Sequence, residues 1–154
     1  MQSQVCERRN STSAHLTRDA AAEIASVAMR GLDEFEVLLS SAPPLHDLEQ
    51  LHSWMCEVHA KFAFWASEEA RLEAIYCRFY AALLDSKRIS EDTFKAIKHS
   101  STMTDRYVSG RLPEIYEAWQ RCKGLLSVCS KILDDIRTLL VTYRERSKVE
   151  GVQI

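Results

Sequence analysis

The sequence predicts an all-α protein, an elongated antiparallel bundle of four helices with coiled-coil-like heptad packing. Two apolar runs in alternating steps of three and four carry most of that expectation. One reads Leu48, Leu51, Met55, Val58, Phe62, Trp65, then Leu72, Tyr76, Phe79, Leu83. The other reads Ile115, Trp119, Cys122, Leu126, Cys129, Leu133, Ile136, Leu140, Tyr143. Steps averaging 3.5 residues place each run along one side of a long helix, as a seam that lies against other helices. The second observation is that only four Gly and three Pro interrupt 154 residues, which leaves little room for hairpins or phosphate-cradling loops. No long apolar pattern alternates strictly, so no strand is predicted.

Residues 1–16 are polar and read as a flexible lead, and residues 17–148 as a single helical domain of a size that builds its own core. Thr17 suits an N-cap, with Asp19 favouring the positive end of the first helix. That helix should run from about Arg18 to about Ser40 with Ile24, Val27, Ala28, Leu32, Phe35, Leu38 and Leu39 inward, ending before Pro43-Pro44. A second helix should open near Leu45 and reach about Asp85, a length of about 60 Å at 1.5 Å per residue. Ser67-Glu68-Glu69 resembles a helix start and puts a polar residue on the seam, so a kink or break near Ser67 is the alternative. Ser90 would cap a third helix, poorer in apolar residues, that carries Phe94, Ile97, Met103, Tyr107 and Val108 and stops at Gly110. Pro113 suits the first turn of a fourth helix running to about Ser147, and residues 149–154 read as a tail. Short connections favour up-down-up-down placement, and the greater length of the second and fourth helices would leave seam ends uncovered.

An apolar content of 46% with 27% charged residues argues against disorder. The net charge of −2 hides an asymmetry: residues 18–85 carry 5 basic and 12 acidic side chains, residues 87–148 carry 13 basic and 8 acidic. Attraction between two helical hairpins explains that division most simply; a basic face for an acidic partner is the sharper reading. Glu91, Asp92, Asp105, Glu114 and Glu117 interrupt the basic residues, so no phosphate-binding stripe forms and nucleic acid is not the expected partner. Five cysteines, three of them (Cys77, Cys122, Cys129) on apolar faces, and no apolar leader after Met1 point to a reducing compartment, cytoplasm or nucleus. No apolar stretch approaches the roughly 20 residues that span a bilayer.

Beside the seam of the second helix runs a stripe of Glu49, His52, Cys56, His59, Ala63, Ala66, Ala70, Ala74, Cys77 and Ala81. Its small residues would admit a close helix neighbour. Its polar end offers zinc-type donors, Glu49, His52, Cys56 and His59, yet one helix supplies too few converging ligands. A di-metal bundle would need a second Glu-x-x-His motif, which is missing from the sequence. Cys56 with His59 resembles a nucleophile and base, but no orienting group or oxyanion donor can be named. No catalytic residue, metal or cofactor is therefore expected.

Aromatics give the better lead. Phe64 falls among Ala60, Lys61, Glu68 and Arg71, away from the seam, and Trp54 lies at its edge, so both are candidate partner contacts. Arg8-Arg9-Asn10-Ser11 has the form of a basic-directed modification site at Ser11, and Val152-Gln153-Ile154 that of a C-terminal ligand for strand addition; both patterns are short and common. The expected function is a non-enzymatic assembly or adaptor subunit that binds helical proteins or itself. The alternatives are a metal protein or enzyme using the His52/Cys56/His59 face, and a regulatory domain controlled through its N-terminal tail.

Overall fold

The computed structural model describes residues 18–83, 92, 93, 95, 101–149 and 151, and no strand occurs among them. Four helices account for nearly all of these residues: α1 (Arg18–Ser40), α2 (Leu48–Leu83), α3 (Ser101–Arg111) and α4 (Pro113–Val149). Residues 92, 93 and 95 are also helical, while the expectations at Thr17, Ser90, Phe94 and Ile97 lie outside the described residues.

The C-terminus of α1 is closed by Ser41, whose N–H and hydroxyl both reach the Leu38 carbonyl, at 3.2 and 2.8 Å. Helix α2 then begins at Leu48, three residues later than the Leu45 start expected. Asp47 accounts for the shift: its carboxylate accepts the Gln50 N–H at 3.1 Å, an N-cap that sets where the helix opens. No break occurs at Ser67. Glu68 pairs with Arg71 one turn on at 3.1 Å, and Glu69 finds a donor on α4, so neither carboxylate needs a helix end.

Gly110 does not stop α3. It ends one residue on, at Arg111: the Leu112 N–H bonds the Val108 carbonyl at 3.2 Å at its close, and the Tyr116 N–H bonds the Leu112 carbonyl at 3.1 Å where α4 opens. Pro113 begins α4, where its missing N–H would have had no partner within the helix. At its far end α4 reaches Val149, and Gly151 follows at φ 70° with its N–H toward the Lys148 carbonyl, a left-handed C-terminal stop.

Both α1 and α2 pack extensively on α4 and only lightly on each other. This arrangement decides which residues are buried. In α1 the core face is Ala21, Ala25, Ala28, Leu32, Phe35 and Leu39, while Val27, expected inward, is 56% exposed. The alanines let the backbones approach where α1 lies along α4. In α2 the buried residues are Leu51, Trp54, Val58, Trp65, Leu72, Ile75 and Tyr76, and in α4 Ile115, Ala118, Cys122, Cys129, Leu133 and Ile136. The charge asymmetry shows in this packing where Arg121 of α4 reaches Asp33 and Glu36 of α1, each at 2.6 Å. No described helix is long and apolar enough to cross a membrane.

Candidate functional site

Because α1 and α2 each lean on α4, they diverge on the side away from it and leave a groove of about 570 Å³. Its floor is Ile24, Val27, Ala28 and Gly31 of α1 with Phe64 and Trp65 of α2. Charged residues form the rims, Glu23 and Glu34 on α1 and Lys61, Glu68 and Arg71 on α2. Phe64 is 55% exposed, and its ring meets the Trp65 indole edge-on with centroids 5.2 Å apart. A half-exposed Phe beside a half-exposed Val forms continuous apolar surface that the described residues leave uncovered.

Gly31 positions the groove. A Cβ there would stand 2.7 Å from Cζ2 and 3.0 Å from Cη2 of Trp65, so only glycine lets the edge of the indole come this close to α1. Trp65 is held from behind as well, since the Cys122 thiol donates to its carbonyl at 3.4 Å. Burial, reinforced by Glu69 and Glu68, pushes the Cys122 thiol up to about 11, and burial also raises Cys129. Both are inert packing groups at neutral pH.

Trp54, expected as a partner contact, is only 6% exposed, and its indole N–H donates to the Leu38 carbonyl at 2.9 Å. It binds the end of α1, and the partner role does not fit its position. Tyr76, Tyr116 and Trp119 make a second internal cluster, with ring centroids 5.3 to 6.3 Å apart. Burial and the nearby Asp105 push the Tyr76 hydroxyl up to about 12. In the same cluster Trp119 donates its indole N–H to Glu69 at 2.7 Å, which explains a carboxylate on the apolar seam.

The polar end of the α2 stripe is exposed at Glu49, His52, Cys56 and His59. Cys56 Sγ lies 3.7 Å from His52 Nδ1, whereas His59 Nδ1 donates to the Met55 carbonyl at 2.7 Å and is turned along its own helix. The described residues contain no group of three or more His, Cys, Asp or Glu able to hold a metal ion. Among the described residues Cys56 has the His52 imidazole as its neighbour, and no carboxylate is placed to orient that ring. Farther along, Ala63, Ala66, Ala70, Ala74, Cys77 and Ala81 are all exposed, so none of the described helices packs on the small-residue stripe that was expected to admit one. Ser11 and residues 152–154 lie outside the described residues.

Sequence reading missed the groove because it placed Val27 in the core and passed over Gly31. A glycine inside an amphipathic helix costs about 1 kcal/mol relative to alanine, which is a signal of close approach. In comparisons with known proteins, no family model, no curated protein and no solved structure matches this chain.

Proposed function

We propose that this chain is a non-enzymatic assembly or adaptor subunit that docks a helical partner in the groove between α1 and α2. In this reading the three long helices pack in antiparallel, coiled-coil-like fashion, and the groove is the position that a further bundle helix would fill. The observation that supports it most is Phe64, which stands half exposed beside Val27 over an apolar floor, with charged residues on both rims. Aromatic side chains in such positions dominate interface energetics, and rim charges set orientation. The exposed Leu139, Val141, Tyr143 and Val149 near the end of α4 offer further apolar surface of the kind an assembly subunit covers. Free cysteines at positions 56, 77, 122 and 129 suit a reducing compartment as the place of action.

Affinity purification from the native source, with wild type and Phe64→Glu as parallel baits and quantitative mass spectrometry, tests this function. A protein, or a second copy of the chain, should be recovered stoichiometrically with wild type and lost with the variant. Identical recovery with both baits overturns the groove as the docking site.

A further inference from the structure

The α1 rim of the groove is acidic while the α2 rim carries two bases beside Glu68, and their spacing suggests what covers it. Glu23 and Glu34, from α1, are eleven residues apart, about 16 Å along a helix. Lys61 and Arg71, from α2, are ten residues apart, about 15 Å. The contacts of Gly31 with Trp65 and of Leu38 with Trp54 fix the register: moving back along α1 goes with moving forward along α2. Glu34 therefore lies level with Lys61, and Glu23 level with Arg71. We infer that a second copy of this chain packs over the groove, related by a two-fold axis parallel to the helices, with Glu23 and Glu34 against the partner's Arg71 and the partner's Lys61.

This inference rests on the docking role proposed above and names the occupant. A two-fold axis along the helices lays α1 of each protomer over α2 of the other at the same level, so all four acid–base pairs form together. A two-fold axis across the helices would instead stack α1 on α1 and set Glu23 against Glu34, like charge on like charge. Glu68, whose carboxylate is 3.1 Å from Arg71 in its own chain, shares that guanidinium without cancelling the Lys61 side. Between the rims, Val27 and Phe64 of each protomer meet those of the other and fill the groove from both sides.

The test uses the full purified chain in sedimentation velocity at several concentrations. Wild type should be a dimer. The variants Glu23→Lys/Glu34→Lys and Lys61→Glu/Arg71→Glu should each self-associate more weakly by about tenfold or more, and an equimolar mixture should restore a dimer containing one of each. Circular dichroism checks that each double variant is folded; should either lose helicity, the single pair Glu34→Lys and Lys61→Glu replaces it. A wild-type monomer at every concentration overturns the inference, as does a mixture no tighter than its components. If wild type is monomeric while Phe64→Glu still loses a partner from the native source, the groove docks a different protein and only the second-copy assignment fails.

Discussion

Replacing Gly31 with Ala tests the close approach that shapes the groove. The new Cβ would lie 2.7 Å from Cζ2 of Trp65, against the 3.5 to 4.0 Å of ordinary carbon contact, so the indole or α1 must move by roughly 1 Å. Trp65 is 4% exposed and is held at its carbonyl by Cys122, which leaves it little room. Overpacking of this kind costs about 1–3 kcal/mol, while the gain in helix propensity returns about 1 kcal/mol. Gly124 on α4 provides the control, because a Cβ there meets nothing within 4 Å and Gly124→Ala should simply stabilise the helix. The two variants should thus differ by about 1–3 kcal/mol, or roughly 2 to 12 °C in Tm, measured by thermal circular dichroism at matched concentration. If Gly31→Ala stabilises as much as Gly124→Ala, the α1–Trp65 contact does not exist and the geometry of the groove falls with it.

Other consequences can be measured on the same material. Glu69→Ala leaves the half-buried Trp119 indole N–H without its acceptor and should cost about 1–3 kcal/mol, whereas Glu69→Gln keeps an acceptor and should cost less; equal losses in urea denaturation would contradict the hydrogen bond. Leu133→Glu buries a charge in the core and should abolish the helical circular dichroism signal, while Phe64→Glu, on the groove surface, should leave it intact. Cys56 and Cys77 should react with a thiol reagent in the native state and Cys122 and Cys129 only after unfolding; rapid labelling of all of them would refute the packing around α4. The folded Cys122 thiol holds its proton up to about pH 11, whereas an unfolded thiol releases it near 9. Folded protein therefore binds more protons between those values, and stability should fall as pH rises from about 9 to about 11, with a smaller fall in Cys122→Ala.

Much of the helical plan was legible because a seam of period 3.6 reports burial directly. Leu51, Val58, Trp65, Leu72, Ile115, Cys122 and Leu133 all lie where their spacing puts them. The seam does not say which neighbour buries it. Since α1 rests mainly on α4, the core took Ala21 and Ala25 and turned Val27 outward, an outcome decided by backbone approach and not by side-chain size. The same limit hid the roles of two seam-edge residues: Trp54 bonds the end of α1, and Glu69 serves Trp119 from another helix. The start of α4 was legible because a proline suits the first helical position, where its missing N–H has no partner to lose. In the candidate site Phe64, Lys61, Glu68 and Arg71 were recognisable together from α2 alone. Their opposite wall on α1 required knowing which helices face each other.

Site-specific photo-cross-linking tests the docking role most directly. A benzoylphenylalanine placed at position 64, on the groove, is compared with one at position 70, on the exposed alanine flank of α2, each in the full chain in its native source. Position 64 should join the chain to a second polypeptide, and position 70 should not. Cross-links at position 70 equal to those at 64, or none from 64 to any second polypeptide, would contradict the account.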